Sequence, residues 1–126
     1  MTTLLYVAAG GALGASARYL TGIGVGQLLG LDGFPYGTLI VNVVGCFIMG
    51  LLIGAMALFW SVGNDLRAFL TVGILGGFTT FSAFSADILL LVERNNYSGA
   101  AIYLTASVGL SLAAVFLGVA LMRALS

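Results

Sequence analysis

Asn42 lies in the middle of a long apolar run, and its side chain is suited to holding a small anion. Thr38 precedes it by one helical turn, so a helix places both side chains on the same face. The amide NH₂ offers two hydrogen-bond donors and the hydroxyl offers another. The alternative is a hydrogen bond between helices, a common use of asparagine in membranes. We predict an anion pathway at Asn42 and Thr38, with the interhelical alternative open.

Phe81 and Phe84 form a second candidate site, because their spacing places both rings on one helical face. An aromatic ring has a positive edge, which can contact a small anion. Ser82 and Ser85 repeat this spacing on a neighbouring face and add hydroxyl groups. The alternative is that both rings make only apolar contacts with the core or with lipid.

Arg18 is a charged residue inside an apolar run, roughly 21 Å along a helix that rises 1.5 Å per residue. A charge at such a depth is costly, which favours a functional role such as attracting anions to a vestibule. The alternative is a long side chain that reaches the nearer membrane surface.

Tyr103, Ser107 and Ser111 recur at every fourth position and predict a stripe of hydroxyl groups along one helix. Such a stripe either joins helices through hydrogen bonds or lines a wet conduit. Both readings stay open from this feature alone.

The composition shows what kind of protein carries these residues. Of 126 residues, 61% are hydrophobic and 6% are charged, whereas a soluble domain carries about 25% charged residues. A soluble enzyme, a nucleic-acid-binding protein and a disordered chain are excluded. The chain has no His and one Cys, which excludes a Ser-His-Asp triad, a disulfide within the chain and a structural zinc site. We predict a multi-pass membrane protein that is not an enzyme.

A bilayer core of about 30 Å requires roughly 20 apolar helical residues. Four segments meet this requirement: residues 4–29, 36–60, 66–92 and 100–121. The apolar runs are too long for strands and do not alternate. The loops are short, including a turn at residues 31–35, so the segments should form one antiparallel helical domain over residues 1–126.

The third segment contains a sequence that is unfavourable for a helix. Gly76 and Gly77 are followed closely by Thr79 and Thr80, and adjacent glycines with β-branched residues make a poor helix centre. Broken backbone in a bilayer occurs where it lines a cavity or binds ions. We predict a break here, the alternative being a closely packed glycine pair in an unbroken helix.

Two further patterns concern packing and orientation. GxxxG spacing occurs at Gly10/Gly14, Gly22/Gly26 and Gly50/Gly54 and predicts close helix contacts. Arg67 and Arg123 would lie on one side of the membrane and Arg94 on the other. This near balance does not fix an orientation and predicts insertion in both directions, hence an antiparallel homodimer.

Three motifs in order resemble the Fluc (CrcB) family of small dual-topology fluoride channels. They are Gly14-Ala-Ser-Ala-Arg-Tyr19, Gly37-Thr-Leu-Ile-Val-Asn-Val-Val-Gly45 and, most specifically, Gly76-Gly-Phe-Thr-Thr-Phe-Ser-Ala-Phe-Ser85. The resemblance implies an antiparallel homodimer in the cell inner (plasma) membrane that passively exports cytoplasmic fluoride and so reduces fluoride toxicity.

The resemblance also implies roles for individual residues. Asn42 would line the pore, and the ring edges of Phe81 and Phe84 would approach the ion. Carbonyl groups of Gly76 and Thr79 from both subunits would hold a structural Na⁺ at the dimer centre. The other residues placed on the fluoride pathway by this resemblance or by the patterns above are Arg18, Thr38, Ser82, Tyr103 and Ser107.

Three other functions are weighed against a fluoride channel. A small dual-topology multidrug or cation exchanger needs a carboxylate deep in the bundle, and only Asp87, near a span end, is available. An assembly subunit that transports nothing leaves Asn42, Arg18 and the break unexplained. An intramembrane enzyme lacks both a His and a pair of carboxylates.

Overall fold

Helices account for nearly all of the chain in the computed structural model, which describes residues 1–29, 34–58 and 61–125. The elements in chain order are α1 (Thr2–Leu29), α2 (Tyr36–Leu58), α3 (Asn64–Arg67), a π-helical segment (Ala68–Leu75), α4 (Gly76–Phe78), α5 (Phe81–Glu93) and α6 (Tyr97–Leu125). Of the predicted turn at residues 31–35, residues 31–33 lie outside the described chain, as does the predicted end of the second segment at residues 59–60. The all-helical fold class is confirmed for the described residues.

Three segments are long and apolar enough to cross a membrane: Tyr36–Leu58, Asn64–Glu93 and Tyr97–Leu125. The chain is therefore a multi-pass membrane protein. α1 has 28 residues, which corresponds to about 42 Å and exceeds the bilayer core in length. α1 is not one of the three segments that are apolar enough to cross a membrane. That α1 spans the bilayer therefore stays a prediction.

The third segment, Asn64–Glu93, is broken in its middle, as the sequence predicts. The two glycines remain helical within α4, and the break lies at Thr79 and Thr80, whose φ and ψ angles of −83°/157° and −153°/127° are extended. The Thr80 side chain then caps α5, since its Oγ1 accepts the Ala83 N–H at 3.2 Å. The threonines therefore end one helix and begin the next.

Glycines allow the helices to touch along their backbones at two interfaces. A Cβ at Gly10 would lie 2.6 Å from the Phe69 carbonyl oxygen, and one at Gly14 would overlap the Ile74 carbonyl. Gly50 on α2 faces the Val115 carbonyl of α6 in the same way. The packing prediction is thus confirmed for Gly10/Gly14 and for Gly50/Gly54. At Gly22 the prediction holds from the other side, since a Cβ at Gly37 of α2 would lie 3.3 Å from the Gly22 Cα. An added Cβ at Gly26 meets nothing within 4 Å.

Two asparagines make the tight connection between α5 and α6. Asn95 has a φ of 58°, a left-handed conformation that asparagine tolerates at a helix end. The Asn96 N–H donates to the Leu91 carbonyl at 2.9 Å, while its side-chain Oδ1 accepts the Gly99 N–H at 2.9 Å. This hairpin sets α5 beside α6, where Phe84, Leu91 and Tyr103 form the core.

Candidate ion pathway at the helix break

The side chain of Asn42 holds the backbone of the break. Its Oδ1 accepts the Thr80 N–H at 2.8 Å, and its Nδ2 donates to the Thr80 carbonyl at 3.0 Å. The amide thus replaces the helical partners that an extended residue loses inside a bilayer. The interhelical hydrogen bond considered from the sequence is present, and the amide carries a second N–H besides the one that Thr80 uses.

The same contacts release two carbonyl groups at the break. In a continuous helix the Gly76 carbonyl would accept the Thr80 N–H, and the Thr79 carbonyl would accept the Ala83 N–H. Asn42 takes the first of these donors and the Thr80 hydroxyl takes the second. The two oxygen atoms predicted to bind a cation are therefore freed from helical bonding.

A pocket of about 310 Å³ lies against the break, and we call it the break pocket. Its lining residues are Asn42, Cys46, Thr79, Thr80, Phe81, Phe84, Ser107, Val108, Ser111 and Leu112. Four of the residues predicted for the anion pathway, from three different helices, thus meet in one place. The wall is mostly apolar with a few polar groups, the usual composition of a ligand site.

The two phenylalanines contact each other at the pocket. Their ring centroids are 5.6 Å apart with an angle of 46° between the planes. Phe84 is 7% exposed and also packs on Tyr103, whereas Phe81 is 77% exposed. One ring is therefore fixed in the core, and the other lies on the outer surface of the single chain.

Ser107 places a buried hydroxyl near the hydroxyl of Tyr103. The residue is 6% exposed, and within the described part of the chain its Oγ makes no short hydrogen bond. The Tyr103 hydroxyl, one turn earlier, donates to Asp87 at 3.0 Å and also interacts with the hydroxyls of Ser107 and Thr38. Because a tyrosine hydroxyl can accept while it donates, Tyr103 is an available acceptor for Ser107.

A second pocket, also of about 310 Å³, contains Arg18, and we call it the arginine pocket. The Arg18 Nε donates to the Gly77 carbonyl at 3.2 Å, so the side chain reaches the helix break, which favours a role at this site over a side chain that extends to the membrane surface. Thr38 lines this pocket and not the break pocket. Thr38 and Asn42 lie one turn apart on α2 and line different pockets, and Thr80 lines both of these pockets.

Two predicted pathway residues lie outside both pockets. Tyr103 is fully buried, and its partner Asp87 lines a third pocket of about 440 Å³ together with Arg94. Ser82 is exposed, and its Oγ lies 3.3 Å from the Thr80 Oγ1. Tyr103 thus lies outside the break pocket that Ser107 lines, although its hydroxyl interacts with those of Ser107 and Thr38.

Comparison with known proteins identifies the family. Residues 5–119 match the family described as CrcB-like protein, Camphor Resistance (CrcB). The chain belongs to the CrcB family. The fluoride-specific ion channel FluC of Rhodospirillum centenum is 55% identical over 123 residues, which cover 98% of this chain and 97% of that protein.

Two other CrcB relatives show similar values over nearly their whole length. The fluoride-specific ion channel FluC of Cereibacter sphaeroides is 54% identical, with 98% of this chain and 96% of the relative covered. That of Rhizobium etli is 50% identical, with 99% of each covered. The relatives are named as ion channels, a class of membrane protein that transports without catalysis, and bacterial channels of this kind lie in the plasma membrane.

The sequence indicated Gly77 and Thr80 at the break and Asp87 near a span end, but it did not predict the contacts that these residues make, and it did not place Cys46 at the pocket. Thr80 has a local signal, since a threonine three residues before a helical N–H is a typical N-cap. The bonds of Gly77 to Arg18 and of Asp87 to Tyr103 join residues far apart in the chain. No local pattern predicts such pairs.

Proposed function

We propose that this chain is a fluoride-selective channel through which cytoplasmic fluoride leaves the cell passively, which reduces fluoride toxicity. The observation that carries the proposal is the meeting of Asn42, the Phe81 and Phe84 rings and Ser107 in the wall of the break pocket. The names of the relatives support fluoride as the ion. Passive movement needs no reaction, so no catalytic group is required.

The chemistry of the break pocket suits a small anion that must also leave again. Fluoride is tightly hydrated, and a pore has to replace its water with several donors that bind it only moderately. An amide N–H, a hydroxyl and two ring edges are such donors. Among the residues that line this pocket there is no charged group that would trap the ion.

The proposal includes a second copy of the chain in antiparallel orientation. Phe81 is 77% exposed next to the break pocket, so one chain leaves the outer side of the predicted pathway uncovered. A two-fold axis through the break would cover both pathways at once. The balanced positions of Arg67, Arg94 and Arg123 support insertion in both directions.

The proposal also includes a structural Na⁺ between the two copies. The Gly76 and Thr79 carbonyls are freed from helical bonding, and backbone oxygen atoms suit a hard cation. Among residues 1–29, 34–58 and 61–125, no three His, Cys, Asp or Glu side chains are placed to hold a metal ion. Two carbonyls from each copy would surround the ion, whose positive charge would favour anions nearby.

The test of the channel is ion release from liposomes that contain the purified chain. A fluoride-selective electrode should record rapid fluoride efflux, and a chloride electrode should record no efflux above protein-free liposomes. Equal chloride efflux would contradict selectivity. Proton-coupled uptake of a cationic dye without fluoride efflux would support the multidrug exchanger instead.

The dimer and the cation have separate tests. Labelling of single-cysteine variants at the two termini should reach each terminus from both sides of the membrane, and labelling from one side only would contradict the antiparallel arrangement. Thermal unfolding of the purified protein should occur at a higher temperature in Na⁺ than in a large organic cation. Equal unfolding temperatures would contradict the Na⁺ site.

A further inference from the structure

The Tyr103 hydroxyl is the meeting point of three polar side chains that line three different pockets. It donates to the Asp87 Oδ2 at 3.0 Å and interacts with the hydroxyls of Ser107 and Thr38. Asp87 lines the third pocket, Ser107 the break pocket and Thr38 the arginine pocket. Because Tyr103 is already 0% exposed in the single chain, this meeting point does not depend on a second copy.

The position of the Tyr103 hydroxyl is fixed by the rings around it. Phe84 packs on the tyrosine ring with the centroids 5.2 Å apart, and Phe34 meets it edge-on at 5.6 Å with an angle of 84° between the planes. With the ring held on two sides, the proton on its oxygen is the part that can turn.

The number of protons decides the direction of each hydrogen bond at this point. A tyrosine hydroxyl has one proton to donate, and a carboxylate accepts only. The Tyr103 proton is therefore committed to Asp87, and Ser107 can bond to the tyrosine oxygen only as the donor. Since a serine hydroxyl also has one proton, Ser107 then has none to donate to an ion.

The burial of Ser107 agrees with this direction. The residue lines the break pocket, but its Oγ is buried and makes no short hydrogen bond within the described chain. The hydroxyl is thus turned into the bundle, where leaving it unpaired would be costly. The acceptor available to it there is Tyr103, one turn earlier on the same helix.

We propose that Asp87 is a positioning residue of the fluoride pathway, because it fixes the Tyr103 proton and so keeps the Ser107 proton away from the ion. The inference rests on the fluoride channel proposed above. An ion that received a further hydroxyl donor would be held more tightly and would leave more slowly, since hydrogen bonds to ions are stronger than those between neutral groups. Asp87 thereby keeps the binding of fluoride in the break pocket moderate.

Two substitutions release the Ser107 proton by different routes. Asp87→Leu removes the acceptor of the tyrosine proton and keeps a branched side chain, and Tyr103→Phe removes the acceptor of the serine proton. Initial fluoride efflux from liposomes at a series of internal fluoride concentrations separates the half-saturating concentration from the maximal rate. We expect both variants to lower the half-saturating concentration about tenfold, as one added hydrogen bond to an ion would, and to lower the maximal rate.

The double variant separates this route from the charge of Asp87. If Asp87 acts through Tyr103, Asp87→Leu should leave the half-saturating concentration unchanged in the Tyr103→Phe chain. A carboxylate that acted on the ion by its charge alone would give the same change in both backgrounds, and this result would overturn the proposal. Glu93→Gln removes a charge from the exposed end of the same helix and should leave the half-saturating concentration at its wild-type value.

An infrared measurement tests the direction of the tyrosine proton without fluoride transport. The carbon–oxygen stretching band of a tyrosine depends on whether its hydroxyl donates to a carboxylate, and subtraction of the Tyr103→Phe spectrum isolates the band of Tyr103. Asp87→Leu should shift this band, and an unshifted band would overturn the proposal. A wild-type chain without fluoride efflux would contradict the proposed function, and the band alone would then support or overturn the role of Asp87.

Discussion

The two halves of the third membrane segment are held in the bundle by different parts of the chain. Before the break, the π-helical segment meets α1 backbone to backbone, and a Cβ at Gly73 would lie 2.9 Å from the Gly10 Cα. After the break, α5 meets α6 through side chains: Phe84 packs on Tyr103, and the Tyr103 hydroxyl donates to Asp87. At its glycines the first half meets α1 with no side chain between the helices, and an edge contact of Tyr6 with Phe69 (ring centroids 6.3 Å apart) lies beside this backbone contact. Within the described chain the second half has no such backbone contact with α6 and is joined to it by aromatic and polar side chains.

This difference suggests a division of labour within one segment. Backbone contact leaves little freedom, so the first half fixes where the chain breaks. Side-chain contact provides the rings and hydroxyls that an ion can meet, so the second half forms the pathway wall. Between the halves, Asn42 and Arg18 bond to the break from two other helices. Changes before the break should therefore act on folding, and changes after it on ion passage.

The largest expected effect is on folding and comes from the first half. Gly14→Ala places a Cβ on the Ile74 carbonyl, and such overpacking costs about 1–3 kcal/mol or more. Gly11→Ala is the matched control on the same helix, because its Cβ meets nothing within 4 Å and alanine favours a helix over glycine by about 1 kcal/mol. Denaturant unfolding in detergent should separate the two variants. Equal unfolding free energies would contradict a backbone contact.

The next effect concerns the break itself. Asn42→Asp keeps the acceptor for the Thr80 N–H but sets a second oxygen against the Thr80 carbonyl. The lost donor and the repulsion should cost about 1–3 kcal/mol, and the added negative charge should abolish fluoride efflux. Asn96→Asp is the control, because Asn96 uses only its acceptor oxygen and aspartate caps a helix equally well. A stable Asn42→Asp variant with normal efflux would show that the amide neither holds the break nor lines the pathway.

The helix break was predictable because its cause is local. Two glycines and two threonines in sequence disfavour a helix centre wherever they occur. The partner of Asn42 was not predictable, because the pairing of an amide with Thr80 depends on how α2 lies against the break. Thr38 shows the same limit, because helical spacing places it one turn from Asn42, and only the fold shows that it lines the arginine pocket.

A smaller effect is expected from the polar contact of the second half. Tyr103→Phe removes the hydroxyl that donates to Asp87. Asp87 is only half-buried, so water can replace the donor, and we expect a loss of about 1 kcal/mol in unfolding free energy. Tyr97→Phe removes a hydroxyl from an exposed residue of the same helix and should change nothing measurable. A Tyr103→Phe variant as stable as Tyr97→Phe would mean that α5 and α6 are joined by their apolar contacts alone.

The smallest effect on stability should accompany a large effect on function. Phe81→Ile changes a residue that is 77% exposed in the single chain, so its unfolding free energy should stay within about 0.5 kcal/mol of the wild type. Phe84→Ile changes a core ring, and a swap of similar volume should cost less than about 1.5 kcal/mol.

If both rings only packed against their neighbours, these substitutions should change fluoride efflux as little as they change stability. An ion-contacting ring has a positive edge that no aliphatic side chain supplies, so efflux should fall strongly in both variants while size-exclusion chromatography shows the same oligomer. Wild-type efflux in both would place the ion pathway away from the break pocket.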